Sequence, residues 1–292
     1  MLDVRKLRLL RELSYRETIA AVAEALAYTP SAVSQQLAAL ERQAGVPLLT
    51  RTGRRVSLTP AALALVQHTE RILAVLEQAT AELATTRAEL TGTLRIGAFP
   101  TAVRTILSPA LVALSSAHPR LELRVTELDP ALAPDALRAE VLDVALIQEY
   151  DYVPVPVDPA LHSEPLFEEI VYLAARAAEP LAAHRESRWI ASTPGTLCHT
   201  MTVRACEAAG FTPRIRHHAD DFGTVLALVA ADQGVALVPE FGTRECPAGV
   251  TLAPLPMRRR THLAYRRGTG DHPVVRAARS ALRESAERAP GG

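Results

Sequence analysis

The chain has 292 residues, of which 48% are hydrophobic, and this length allows about two domains with buried cores rather than a disordered chain. Its 32 basic and 32 acidic residues balance, which excludes a protein that attracts polyanions over its whole surface. No apolar run reaches the roughly 20 residues that cross a bilayer, and the N-terminus has no signal-peptide pattern. We therefore expect a cytoplasmic protein.

Residues 18–41 (TIAAVAEALAYTPSAVSQQLAALE) predict two short helices separated by a tight break. At the start of the second helix, the Thr29 hydroxyl can cap free backbone N–H groups. Pro30 then occupies the first helical position, where its missing N–H costs nothing. Apolar residues of both helices recur at helical spacing, at Ile19, Val22, Ala23, Leu26, Val33, Leu37 and Leu40. This is the pattern of a helix-turn-helix, which lays its second helix into a DNA major groove.

Short polar side chains occupy the outward face of the second helix. Glutamine can pair with an adenine edge through two hydrogen bonds, and serine can bond to bases or phosphates. The alternative is a solvated face on an ordinary three-helix bundle, and the segment that follows argues against it. The residues predicted to contact DNA in this helix are Thr29, Pro30, Ser31, Ser34 and Gln35.

Residues 51–59 (RTGRRVSLT) predict a short two-stranded wing. Arg51, Arg54 and Arg55 lie near its turn, where they are suited to phosphates or the minor groove of double-stranded DNA. Residues 1–60 contain nine basic and five acidic residues, a net charge of +4, which leaves −4 for the remainder. A basic head on an acidic body fits local DNA binding.

Thr59 and Pro60 repeat the cap-then-proline start of a helix. Residues 61–90 contain no glycine or proline, so they predict up to 30 helical residues, about 45 Å. An apolar stripe follows this helix at Leu63, Val66, Ile72, Leu73, Leu76, Ala79 and Leu83. A lone amphipathic helix of this length needs a packing partner, in the same chain or in another.

Strand and helix patterns alternate after Thr93, which predicts an α/β domain with a parallel sheet. The predicted strands are 94–99, 121–127, 144–147, 170–174, 188–191, 214–217, 235–238 and 261–265. The predicted helices are 103–117, 134–140, 200–209, 222–231 and 272–287.

The sequence resembles the LysR-type transcriptional regulators. The resemblance rests on AVAEALAYTPSAVSQQLAALE followed by GVPLLTRTGRRVSLTPA, and it continues through the long helix to about residue 280. Two positions depart from the family pattern. Pro30-Ser31 stands where the family often has Gln-Pro after the capping Thr, and Gln35 stands where it often has a basic residue.

This resemblance implies an α/β fold with an N-terminal winged helix-turn-helix (1–60), a long linker dimerisation helix (61–92) and a two-lobed periplasmic-binding-protein-like effector domain (93–289). Lobe one would comprise 93–164 and 267–289, and lobe two 165–266. It implies a transcriptional regulator rather than an enzyme, bound as a dimer to an inverted-repeat operator. A tetramer and contact with RNA polymerase are permitted, and neither a membrane nor a cofactor is required.

The family's effector site lies between the lobes, where ligands meet the carboxyl ends of strands and the N-termini of helices. The residues at such positions are Pro100, Thr101, Ala102, Gln148, Thr196 and Phe222. Hydroxyls beside free backbone N–H groups favour an anionic small-molecule effector. Each position also has a local interpretation, as a helix cap at Thr101 or as a core residue at Phe222.

A second hypothesis keeps the DNA-binding head and makes the sensor a thiol switch. Cys198 and Cys206 lie eight residues apart, near the redox pair of the family's peroxide-sensing branch, and His199 and Arg204 could lower a thiol pKa. Packing is the alternative role for both thiols. Three cysteines in a cytoplasmic chain argue for free thiols rather than disulfides.

A third hypothesis is an enzyme or a plain solute-binding protein. The sequence has no nucleophile elbow, phosphate-binding loop or tandem metal-ligand spacing. The cluster of His217, His218, Asp220 and Asp221 is better explained by a strand end and a helix cap than by a metal site. Nothing in the sequence argues for catalysis.

Overall fold

The computed structural model describes residues 1–52, 55–86, 89–153 and 157–289, without the side chains of residues 51, 52 and 55. The chain divides into two compact units. The first comprises Met1–Ala84 with Arg267–Asp271, and the second comprises Thr85–Arg266 with His272–Gly292.

The first unit begins with three helices, α1 (Val4–Arg16), α2 (Ile19–Ala25) and α3 (Pro30–Ala44). The predicted start of α3 is confirmed, because the Thr29 Oγ1 accepts a hydrogen bond from the backbone N–H of Ala32 at 3.2 Å. The helix ends at Gly45, whose φ of 70° lets its N–H bond back to the Glu41 carbonyl. The predicted inward residues of α3 are buried among apolar residues of α1 and α2.

Strands β1 (Leu49–Thr52) and β2 (Arg55–Leu58) form the predicted antiparallel wing. Arg54, predicted to contact DNA, lies outside the described residues, and so do the side chains of Arg51 and Arg55. The long helix α4 (Pro60–Thr85) follows. The absence of glycine and proline from residues 61–90 predicts a helix that continues to Leu90, and α4 ends five residues earlier. The successive β-branched residues Thr85 and Thr86 have low helix propensity and account for the earlier end.

The second unit contains a six-stranded sheet with the strand order β4-β3-β5-β10-β6-β9. These strands are β3 (Gly92–Ala98), β4 (Leu121–Glu127), β5 (Val144–Tyr150), β6 (Leu161–Ala175), β9 (Ala236–Pro239) and β10 (Thr251–Arg266). A second sheet pairs β7 (Arg188–Ala191) with β8 (Arg214–His218) in parallel.

The prediction of a parallel sheet is correct for β3 with β4 and β5 and wrong for the rest of the large sheet. Strands β6 and β10 are much longer than predicted and run antiparallel to each other through both lobes. Pro254 and Pro256 argue against a strand in the sequence. In β10 they lie at a register shift between Pro254 and Arg258, where a missing N–H does not interrupt the pairing. In the middle of this strand pair, Arg259 of β10 lies opposite Glu169 of β6.

The helix predicted over 103–117 begins earlier, with α5 (Pro100–Ala102), and continues through a π-helical turn (Val103–Leu107) into α6 (Ser108–Ala117). Pro109 cannot donate to the carbonyl four residues before it, and the wider turn accommodates this. The remaining helices are α7 (Ala133–Arg138), α8 (Leu197–Ala208), α9 (Phe222–Ala230) and α10 (Pro273–Arg288). Among the described residues, no helix is both long and apolar enough to cross a membrane.

Candidate functional site

A cavity of about 310 Å³ lies in the second unit, between loops of the two lobes. Its walls come from the β3–α5 junction, the segment after β4, the end of β5, the start of α8 and the start of α9. Of the residues predicted to bind the effector, Pro100, Thr101, Gln148, Thr196 and Phe222 line it. Ala102 does not, because its side chain is fully buried in the lobe-one core.

The floor of the cavity contains Arg259, on β10, with no solvent exposure. Its Nε donates to the Glu169 Oε1 at 2.6 Å, and its Nη2 donates to the Thr101 Oγ1 at 3.1 Å. Its guanidinium also lies over the Phe99 ring, 4.9 Å from the centroid. Burial alone would lower the Arg259 pKa, but the Glu169 carboxylate raises it, so the floor of the cavity remains cationic.

Two buried polar atoms at the cavity have no hydrogen-bond partner among the described residues, Arg259 Nη1 and Gln148 Oε1. Gln148 is 3% exposed, and its Nε2 donates to the Cys198 Sγ at 3.8 Å. Buried donors and acceptors without partners are rare because desolvation makes them costly. A polar ligand in the cavity would supply hydrogen-bond partners for this open donor and this open acceptor.

The rim of the cavity is acidic. Asp129 follows β4, and Asp220 and Asp221 precede α9. Burial and the neighbouring Asp220 raise the pKa of Asp129, although its bond to a backbone N–H acts in the opposite direction. Arg104 of lobe one pairs with Asp221 of lobe two at 3.4 Å, which links the two sides of the opening.

Several predicted site residues also have the local roles that the sequence allowed. The Thr196 Oγ1 caps α8 by accepting from the His199 N–H at 3.2 Å. Phe222 is 7% exposed and belongs to the lobe-two core as well as to the cavity wall. A Cβ on Gly242 would lie 2.8 Å from the Phe222 ring, so this ring position depends on the glycine.

His218, Asp220 and Asp221 of the 217–221 cluster have separate structural roles. His218 Nδ1 lies 3.1 Å from the Ser192 carbonyl, and Asp221 caps α9 by accepting from the Thr224 N–H at 2.9 Å. Asp220 accepts from the Thr193 N–H and hydroxyl, at 2.8 and 2.7 Å. The described residues include no group of three or more His, Cys, Asp or Glu placed to hold a metal ion.

In the first unit, Ser31 and Gln35 are exposed on the N-terminal half of α3, as predicted. Thr29 and Pro30 are exposed at its start, and Ser34 is half-buried. Pro30 and Ser34 line a groove that is completed by residues of α1, α2 and β2. The α3 face thus presents short polar groups beside a concave surface.

Comparison with known protein families accounts for both units. Residues 4–63 match the family described as bacterial regulatory helix-turn-helix protein, lysR family, and residues 87–287 match the LysR substrate binding domain. The chain belongs to the LysR family of transcriptional regulators. It is a sequence-specific DNA-binding regulator that responds to a small-molecule effector and assembles as an oligomer.

Two relatives and one solved structure are similar to this LysR-type protein over most of its length. It is 28% identical to the transcriptional dual regulator GltC of Bacillus subtilis, over 82% of this chain and 81% of that one. It is 30% identical to a probable hydrogen peroxide-inducible genes activator of Streptomyces viridosporus, over 98% of both chains. The fold is also that of the Corynebacterium glutamicum OxyR C206 mutant, with a TM-score of 0.58 and 24% identity, over 98% of this chain and 92% of that one.

The cavity of this LysR-type regulator contains residues that the sequence did not single out, above all Arg259 and Asp129. Arg259 lay in the run Arg258-Arg259-Arg260, between two prolines and a predicted short strand. Alternation along a strand separates these three side chains, with Arg259 fully buried and its neighbours 49% and 37% exposed. The sequence signal for this buried pair is the two adjacent like charges in Glu168-Glu169 and in Arg258-Arg259. Neighbouring residues of a strand face opposite sides of the sheet, so one residue of each pair must point inward.

Proposed function

We propose that the cavity is the effector site of this regulator and that its occupancy changes how the protein binds operator DNA. The observation that carries this proposal is the pair of unpartnered buried atoms, Arg259 Nη1 and Gln148 Oε1, in a cavity lined by both lobes. A ligand held by both lobes binds one lobe arrangement more tightly than others, so it shifts the population between them.

We propose that α3 and the wing read the operator. Ser31, Ser34 and Gln35 would face base edges, and Thr29 and Pro30 would face the backbone at the helix start. Arg51, Arg54 and Arg55 would contact phosphates or the minor groove. An inverted-repeat operator would suit the two-fold symmetry of a dimer, with a tetramer and contact with RNA polymerase as further levels of assembly.

Operator affinity tests the reading residues. The double variant Ser34→Ala with Gln35→Ala should weaken binding to the operator more than to unrelated DNA, because base contacts carry specificity. Gln43→Ala is a matched control, since Gln43 is also exposed on α3 but lies near its C-terminal end. Unchanged operator affinity in the double variant would contradict the assignment.

We propose that the protein catalyses no reaction and acts in the cytoplasm, where its operator lies. The cavity has a thiol whose partners among the described residues, the Gln148 amide and the Tyr150 hydroxyl, are not general bases. Its thiol, Cys198, is kept protonated because burial raises its pKa, although the nearby Arg259 opposes this shift. Turnover of any bound effector would contradict this part of the proposal.

The thiol-switch alternative is favoured by the peroxide-related names of several relatives. The environments of the two thiols do not favour it. Burial raises the pKa of Cys206 to about 12, and burial lowers the pKa of His199, which leaves that ring neutral beside the thiol. Cys198 and Cys206 lie eight residues apart on α8, so their Cα atoms are about 12 Å apart. A disulfide requires a Cα–Cα distance below roughly 7 Å.

Thiol counting before and after peroxide treatment separates the two functions. Loss of two thiols per chain, with a change in operator affinity that Cys198→Ser abolishes, would establish the switch. Unchanged operator affinity after peroxide would leave the effector-controlled function as the sole candidate.

A further inference from the structure

The charge at the effector cavity is distributed unevenly between floor and rim. The floor has the guanidinium of Arg259, with one Nη unpartnered, next to the Thr101 hydroxyl and the Gln148 amide. The rim has the carboxylates of Glu127, Asp129, Asp220 and Asp221. Of the two lining cations, Arg259 is already paired with Glu169 and Arg104 with Asp221. The rim therefore has an excess of negative charge.

The rim carboxylates retain acceptor capacity for a cation. Asp129 uses one oxygen to accept from the Ala131 N–H at 2.8 Å, and Asp220 accepts from Thr193. A carboxylate has about four acceptor sites, so both retain free lone pairs. Electrostatic repulsion between Asp129 and Asp220 contributes to the raised pKa of Asp129. A cation placed between them would relieve this repulsion.

The floor suits the opposite charge. An open N–H of a buried guanidinium beside a hydroxyl can donate to a carboxylate, and hydrogen bonds between charged groups are among the strongest in proteins. Arg259, Cys198 and Asp129 line the same cavity. The cavity volume of about 310 Å³ is at the small end for ligand sites.

From this bipolar lining we propose that the effector is a small zwitterion of the amino-acid class, with its carboxylate at Arg259 and Thr101 and its ammonium group at Asp129 and Asp220. The open Gln148 Oε1 would accept from an N–H of the same molecule. This inference rests on the proposed function, in which the cavity is the effector site. It replaces the simpler expectation of an anionic effector. A dicarboxylate would place its second negative charge against the rim carboxylates, and like charges in such contact are strongly disfavoured.

Binding assays with matched probes test the proposal on the purified full chain. Each standard L-amino acid is tested by thermal shift and calorimetry, together with the carboxylic acid that lacks its amino group and the amine that lacks its carboxylate. We expect at least one amino acid to bind and its two truncated counterparts to bind at least about tenfold more weakly, since each loses one set of charge-assisted bonds.

Variants of the rim identify the site. Asp129→Asn with Asp220→Asn retains the shapes and backbone-accepting oxygens while it removes both charges. We expect it to weaken the amino acid at least about tenfold and to leave the deaminated acid as strong or stronger, because repulsion is lost. A folding defect would weaken both probes alike. Glu207→Gln removes one carboxylate charge from an exposed site on α8 outside the cavity, and its binding should match wild type.

Three outcomes would overturn the proposal. They are binding of plain carboxylates in preference to amino acids, amino-acid binding that the rim double variant leaves unchanged, and no binding by any amino acid. The proposed function has its own readout, which is a change in operator affinity caused by a small-molecule extract of cells. A response to that extract with no response to amino acids would overturn the zwitterion and retain the effector site.

Discussion

Arg259 and Glu169 form a fully buried ion pair on adjacent antiparallel strands, with 2.6 Å between Nε and Oε1. The other Glu169 oxygen accepts from the Phe241 N–H at 2.8 Å. The pair therefore fixes the guanidinium that forms the cavity floor and connects it to the 3-10 turn at Glu240–Gly242. One interaction serves both the stability of the second unit and the preorganisation of its site.

Removal of the buried negative charge should be costly. Glu169→Gln leaves the Arg259 charge uncompensated, and loss of one partner from such a pair typically destabilises by roughly 3–5 kcal/mol. Glu168→Gln is the matched control, because Glu168 is 41% exposed and its ion pairs with Arg258 and Arg260 lie at the surface. We expect it to cost under about 1 kcal/mol. Calorimetric unfolding of both variants measures the difference, and equal effects would contradict the assigned role of the buried pair.

Asp129 should make stability depend on pH in an unusual direction. Its folded-state pKa is raised by burial above the ordinary value of 3.8, so the folded state holds this proton more tightly than the unfolded state. Its contribution to stability therefore falls as pH rises from the ordinary pKa through the raised one. We expect Asp129→Asn to raise the melting temperature at neutral pH and to have no such effect below the ordinary pKa. A lower melting temperature at neutral pH would contradict this.

The cap of the DNA-reading helix can be tested separately from DNA contact. Thr29→Ala removes the acceptor of the Ala32 N–H and should destabilise the first unit by about 1 kcal/mol. Thr29→Ser keeps a hydroxyl at this position and should retain most of that stability. Denaturant unfolding, followed by helical circular dichroism, compares the two. Equal loss in both variants would show that the hydroxyl contributes nothing to the helix start.

The exposed apolar face of α4 should support the oligomer. Leu76 and Leu83 are 46% and 72% exposed, although both are large apolar residues. Leu76→Asp with Leu83→Asp should convert the assembly to monomers and weaken operator binding, because burial of these side chains would be lost. Gln67→Asp, on the other side of the helix, is the control. An unchanged mass in analytical ultracentrifugation would place the subunit contact elsewhere.

Local features of the fold could be predicted from the sequence, and long-range features could not. Thr29-Pro30 set the start of α3 through a cap and a missing N–H, both properties of adjacent residues. Strand β4 was predicted with its observed bounds, Leu121–Glu127, from its own pattern. In contrast, β10 contains Pro254 and Pro256, and its full length depends on pairing with β5 and β6, which no local pattern reveals.

The candidate site divides in the same way. Thr101, Gln148 and Phe222 could be placed at the cavity because each follows a strand or begins a helix in an α/β order. The placement of Arg259 and Asp129 at the cavity depends on how distant strands and loops are arranged around the sheet, which the local sequence does not indicate. The expectation of an anionic effector came from hydroxyls and helix starts alone, and the rim carboxylates that alter it come from loops far apart in sequence.

Control of DNA binding through the cavity is tested most directly by the operator affinity of wild type and Gln148→Leu, each with and without a small-molecule extract of cells. Binding is measured by quantitative gel shift on the DNA upstream of the protein's own gene, over a range of salt concentrations. Gln148→Leu keeps the approximate shape of the side chain while removing the open acceptor. We expect selective, salt-sensitive binding by both proteins and a response to the extract in wild type only. An equal response in both proteins, or no selective binding by either, would contradict it.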